Sequence, residues 1–195
     1  MNGIKGVIWD LGGVIVKDNM APAFTLNGIP YDTRIKEAWK RLRVGQIDHD
    51  AFFREALGDT YAHLSDRVRR TADDLIQLQP EGAFPLVEEV HGLGKYKQGI
   101  ISNHSMQWGR AVVEKWSLEK YVNPIVISGE LGIDKSDERI FRYTVERMGL
   151  SPEEAVFVDN QDNNLMVAER AGLKAILFKN YAQARVELSQ YVEFR

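Results

Sequence analysis

The chain has 195 residues, four histidines and no cysteine, with a formal net charge of −3. That length suits one domain, or a core carrying a small insertion, and is enough to bury roughly 70% of the unfolded surface. The charge gives no footprint for nucleic acid or an anionic membrane, and the lack of cysteine excludes disulfides, a thiol nucleophile and thiolate metal sites. The histidines lack metal-ligand spacing, and no apolar run approaches the roughly 18 residues of a membrane span. The start enters a strand pattern almost at once, which leaves no room for a signal peptide, so a cytoplasmic location is expected. Nothing in the sequence sets an oligomeric state.

The first apolar run is Gly6 to Trp9. Asp10 follows it, then the turn Leu11-Gly12-Gly13-Val14. From about Lys17 to Gln79 no strand reads convincingly. That stretch holds amphipathic segments at Thr33 to Leu42, His49 to Leu57 and Ser65 to Leu78, separated by Gly45 and Gly58. It reads as a helical insertion after the first strand. Pro80-Glu81-Gly82 then restarts the core with a helix from Phe84 to Leu93.

Four more strand-length apolar runs follow, at Gly99 to Ile101, Pro124 to Ile127, Ala155 to Val158 and Ala175 to Phe178. Helix patterns lie between them, at Trp108 to Trp116, Glu138 to Met148 and Asn164 to Ala171. Gly149 and Gly172 stand where helix stops are expected. Ser151-Pro152-Glu153-Glu154 reads as a helix start. Strands apolar throughout, alternating with helices, predict an α/β protein with a doubly wound, mainly parallel sheet.

Four polar groups stand at strand ends or helix starts: Asp10 with Gly12 and Gly13, Ser102-Asn103, Lys135, and Asp159-Asn160 with Asn164. Carboxyl ends of parallel strands share one edge, so the four can converge. Each alone has a plainer reading, as a turn residue, a cap or a solvated lysine. Together they supply a nucleophilic carboxylate, a hydroxyl, a cation and an acidic metal ligand, which suits phosphoryl transfer.

Across nearly its whole length the chain resembles the haloacid dehalogenase-like (HAD) hydrolase superfamily. The resemblance is carried by Lys135-x-Asp137-x-x-Ile140-Phe141, Gly149, Pro152-Glu153-Glu154, Phe157-Val158-Asp159, Asn164, Ala168 and Gly172-Leu173. It implies a Rossmann-like core of residues 1–16 and 80–195 with a small helical cap at 17–79. Gly45-x-Ile47 with Phe52 resembles a bacterial subgroup that includes sugar-phosphate phosphatases. The implied activity is a magnesium-dependent phosphatase of a small phosphorylated metabolite, with neither nucleic acid nor membrane as partner. Asp10 would be the nucleophile and carry an aspartyl-phosphate. Ser102 and the Asn103 amide would hold phosphoryl oxygens. Lys135 would neutralise nucleophile and phosphate, oriented by Asp159. Magnesium would be held by Asp10, the Gly12 carbonyl, Asp159 and Asn160.

The chain departs from the family pattern at three positions. Gly12 replaces the acid that protonates the leaving group and activates water, help typically worth 10²–10⁴-fold. Asn160 replaces an acidic metal ligand with a neutral one. Ser136 replaces a proline beside Lys135. Asp18, His49 and His104 are the candidate substitutes for the missing acid, with His104 also readable as an ordinary loop histidine. Arg34, Lys36, Lys40, Arg41 and Arg43 read as a solvated helix face, or as a face toward an anionic substrate. Trp39, Phe52 and Phe53 read as cap core. Gly12 and Asn160 leave two alternatives: a catalytically impaired phosphate-binding or interaction protein of the same fold, and a haloacid dehalogenase.

Overall fold

A computed structural model describes residues 3–18, 20–75 and 82–194. Five strands, β1 (Gly6–Trp9), β2 (Lys97–Ser102), β3 (Ile125–Ile127), β4 (Ala155–Asp159) and β5 (Lys174–Leu177), form one parallel sheet in the order β3-β2-β1-β4-β5. The doubly wound α/β arrangement expected from the apolar runs is borne out.

Register sets the working edge. Trp9 pairs with Ile100 on one side and Val158 on the other. The chain therefore leaves β1 at Asp10 beside the ends of β2 and β4, which close on Ser102 and Asp159. Asp10 extends the ladder by one bond, its amide donating to the Val158 carbonyl at 2.8 Å.

The strands are buried on both faces, so alternate residues enter different cores. Val7, Trp9, Ile100, Val156 and Val158 face one core, and Ile8, Ile101 and Phe157 the other. The second core is closed by α8 (Glu138–Arg147) and α9 (Asp162–Arg170) through Ile140, Phe141, Leu165 and Ala168. The first receives α5 (Phe84–Leu93), α6 (Met106–Lys115) and α10 (Tyr181–Leu188).

The first core also continues into the helices that follow β1. These are α1 (Met20–Thr25), α2 (Thr33–Leu42), α3 (His49–Leu57) and α4 (Tyr61–Leu75). Phe24, Ile35, Phe52, Phe53 and Val68 are fully buried in the same cluster as Val7 and Trp9. Asp32 and Asp48 start α2 and α3 by accepting from the amides of Ile35 and Ala51 at 3.0 and 2.8 Å. Each satisfies an amide that the first turn leaves unpaired. The end of the helix expected to run to Leu78, and the restart at Pro80, lie outside the described residues. The four-residue α7 (Ser128–Leu131) leads into the loop that carries Lys135.

Three boundaries differ from the sequence pattern. β2 starts at Lys97 because Gln98, although polar, is buried: it accepts from the Trp9 indole at 2.9 Å and donates to the Val87 carbonyl at 3.0 Å. Ser151 to Glu154 forms one 3₁₀ turn with a capping box and passes straight into β4, so no helix starts there. Pro22 stands inside α1 and hid that helix.

Candidate active site

Lys135 is the centre of the constellation. Its side chain is fully buried, with Nζ 2.7 Å from Asp10 Oδ1 and 2.6 Å from Asp159 Oδ2. Its own amide donates to Asn103 Oδ1 at 2.9 Å, which ties the lysine loop to the end of β2. Burial alone would lower the ammonium, but the two carboxylates outweigh it and hold Lys135 above the usual lysine range.

Asp10 is 5% exposed. Its Oδ1 also accepts from the Leu11 amide at 2.7 Å. Burial, opposed by Lys135 and reinforced by Asp159, pushes its carboxyl up to about 7. Asp159 is fully buried and its oxygens are committed: Oδ1 accepts from the Gln161 amide at 2.8 Å, Oδ2 from Lys135, and Asn164 Nδ2 reaches both at 3.1 and 3.0 Å. Asp159 thus holds the lysine, and Asn164 holds Asp159.

Lys135 borders a cavity of about 110 Å³. Asp10, Gly12, Ser102, Asn103 and Lys135 line it from the sheet edge, with Gln161 and Asn164 beside them. Trp39, Arg43 and Leu75 close it from the helices after β1, and His104 and Asp18 complete the wall. Asp10, Gly12, Ser102, Asn103 and Lys135 are therefore brought together. Asp159 lies behind Lys135. Asn160 is exposed and sits against Gly13, so it is not part of the cavity wall.

The two glycines after Asp10 serve different needs. Gly13 has φ +83°, and a Cβ there would run into the Asn160 amide, so only glycine fits. At Gly12 an added Cβ meets nothing within 4 Å. Sterics do not demand glycine where the family has its acid.

Of the basic residues on α2, Lys40 pairs with Glu37 and Arg41 with Glu55, both on the outer face. Arg43 alone of the five lines the cavity, and its guanidinium donates to Asp134 Oδ2. Phe52 and Phe53 are core, whereas Trp39 is only partly buried and faces the cavity. His49 hydrogen-bonds Ser105 Oγ at 2.9 Å and is not in the cavity wall; His104 is. The sequence reads Arg43 as part of a basic helix face, solvated or turned to an anionic substrate, and Trp39 as cap core. Their spacing of four, with Trp39 off the Ile35–Leu42 stripe, was the available signal.

A parallel α/β fold with an acid–lysine–acid cluster at the strands' carboxyl ends is built to place a buried carboxylate against an anionic or electrophilic group. The model of the haloacid dehalogenase-like hydrolases matches residues 4–172, and the chain belongs to that family. It is 27% identical over 202 residues to a D-ribitol-5-phosphate phosphatase from Bacteroides thetaiotaomicron, covering 95% of this chain and 97% of that protein. It is also 27% identical over 208 residues to mouse acyl-CoA dehydrogenase family member 10, covering 97% of this chain but only 19% of the mouse protein. Among solved structures, a HAD family enzyme from B. thetaiotaomicron, in complex with magnesium and inorganic phosphate, superposes with a TM-score of 0.67 at 20% identity, covering 91% of this chain and 96% of that one.

Proposed function

We propose that the chain is a magnesium-dependent phosphatase of a small phosphorylated metabolite, working through an aspartyl-phosphate on Asp10. The observation that carries this reading is the buried Asp10–Lys135–Asp159 cluster facing a cavity. Lys135 and the Leu11 amide both use Asp10 Oδ1, which leaves Oδ2 to attack phosphorus. The new Oδ2–phosphorus bond forms as the bond to the ester oxygen breaks, and that oxygen takes a proton from solvent water, since Gly12 supplies none. Water then attacks the phosphorus, releases phosphate and restores the carboxylate. Ser102 and the Asn103 amide hold phosphoryl oxygens, and Lys135 offsets their charge. In the same reading the helices of residues 17–79 are a cap over a core of residues 1–16 and 80–195.

The residues fit magnesium by their chemistry. The candidate donors are hard oxygens, and Asp10, Asp159 and Lys135 together leave one net negative charge. Asp10 and the Gly12 carbonyl would hold the ion, with Asn160 as a neutral third donor beside the same turn. Asp159 contributes charge, since its oxygens are already hydrogen-bonded. Bound there, the ion would neutralise phosphoryl oxygens. Magnesium keeps several of its waters, so few protein donors would be needed.

Gly12 favours a second reading, a phosphate-binding protein that does not turn over. The two are separated by phosphate release from a panel of phosphate esters, with and without magnesium, for the wild type and Asp10→Asn. Magnesium-dependent release that Asp10→Asn abolishes supports the phosphatase. Equal release by both proteins removes Asp10 as nucleophile.

A further inference from the structure

His104 is a buried polar side chain of the cavity wall that the phosphatase chemistry does not use. Its main chain is fixed: the amide donates to Ser128 Oγ at 3.0 Å, and the carbonyl accepts from the Gly129 amide at 3.1 Å. Its ring is held edge-on to Trp39 at 5.4 Å and to Trp108 at 6.2 Å. The residue is only 8% exposed, and ring Nδ1 is sealed with no hydrogen-bond partner among the described residues.

Three other polar groups of the wall are already paired. Lys135 is taken by two carboxylates, Arg43 by Asp134, and Asn164 by Asp159. The apolar side chains of the same wall include Trp39, Leu75 and Val112, and Trp39 lies against the His104 ring. His104 follows Ser102-Asn103 directly, so a phosphoryl group held there would put the first carbons of its ester within reach of the ring.

We propose that His104 determines specificity, hydrogen-bonding a hydroxyl on the carbon chain of a short polyol or sugar phosphate. This rests on the phosphatase reading above and adds the recognising residue. Burial and the nearby His49 push the imidazole down to about 4, so the ring is neutral in ordinary buffers. A neutral ring has one donor and one acceptor nitrogen, the complement of a hydroxyl. Nδ1 is sealed, so Nε2 is the ring nitrogen left to meet the ligand, as donor or acceptor according to the tautomer.

The test compares two esters of one three-carbon skeleton, glycerol phosphate and propyl phosphate, with the full chain and magnesium. The variants are His104→Phe, which keeps a flat ring, and His104→Gln, which keeps a donor. The wild type is expected to prefer glycerol phosphate by about tenfold or more in kcat/KM. His104→Phe should erase the preference, losing about tenfold on glycerol phosphate and less than about threefold on propyl phosphate. His104→Gln should keep part of it. Equal losses on both esters, or a preference that survives in His104→Phe, overturn the proposal. If His104→Phe does not fold, His104→Gln and the ligand shift below decide. In Asp10→Asn, saturating glycerol phosphate should shift the His104 ring ¹⁵N resonances while propyl phosphate leaves them in place. A protein with no turnover on any ester fails as a phosphatase, and the same NMR comparison still supports or overturns His104 as the contact.

Discussion

Arg43 and Asp134 stand 91 residues apart in the chain and are joined twice, Nε and Nη2 donating to one carboxylate oxygen at 3.1 and 2.6 Å. Arg43 closes α2, and Asp134 immediately precedes Lys135. The same corner is fastened again where Ser128 Oγ donates to the Arg43 carbonyl at 2.5 Å. The helices over the cavity are therefore tied to the loop that carries the central cation. Partly buried, charge-assisted bonds of this kind are worth about 1.5–3 kcal/mol. Arg43→Ala and Asp134→Ala should each destabilise by that order, and a double-mutant cycle should give a coupling of about 1 kcal/mol or more. Purely additive losses in denaturant unfolding would show that the two ends do not cooperate.

Lys135 keeps two buried carboxylates apart. Lys135→Met leaves Asp10 and Asp159 facing each other without compensation, a situation that typically costs about 3–5 kcal/mol. Denaturant unfolding should show a midpoint well below that of the wild type. Asp159→Asn in the Lys135→Met background should recover part of the loss, because one of the two like charges is gone. No recovery would mean that the charge balance is not what the lysine supplies.

Gly12 and Gly13 should answer substitution in opposite ways. Gly13→Ala forces a Cβ onto φ +83° and into Asn160, and should cost more than about 1 kcal/mol. Gly12→Asp enters open space and should change stability by less than about 0.5 kcal/mol. It restores an acid beside the nucleophile, so turnover of esters with poor leaving groups should rise, by up to the 10²–10⁴-fold that general acid–base help provides. Unchanged rates on poor leaving groups would show that proton transfer does not limit this protein.

Stability should fall in acid through the buried histidines. Burial, with Arg69 for His49 and His49 for His104, lowers both from 6.5 to about 4. Between those values the unfolded chain binds more protons than the folded one, so stability is lost as pH falls from about 6.5 toward 4. Asp10, raised from 3.8 to about 7, acts in the opposite sense, favouring the folded state as pH falls through 7. The clean readout is a difference: His49→Gln and His104→Gln should each flatten the pH dependence of unfolding between 4 and 6.5 relative to the wild type. Parallel curves would contradict neutral, buried rings.

The sequence was most legible where one residue's role is local. The apolar runs marked all five strands to within two residues, and the Asp-led helices α2 and α3 fall where their period put them. Asp10, Ser102 and Lys135 could be picked out because parallel strands present their ends on one edge. What escaped depends on partners distant in the chain. Gln98 reads as a strand breaker until Trp9 and Val87 satisfy it. Arg43 reads as one more surface base until Asp134 meets it. His104 reads as a loop residue until Trp39 and Trp108 seal it in.

The central claim is a phosphoryl group carried by Asp10, and it is tested most directly by trapping. The wild type would be quenched during turnover of its best ester and treated with borohydride, which reduces an acyl phosphate to an alcohol. Peptide mass spectrometry should then find homoserine at position 10, and no homoserine in a sample quenched without substrate. Turnover with Asp10 unmodified, or homoserine at Asp18 or Asp159 instead, would contradict the account.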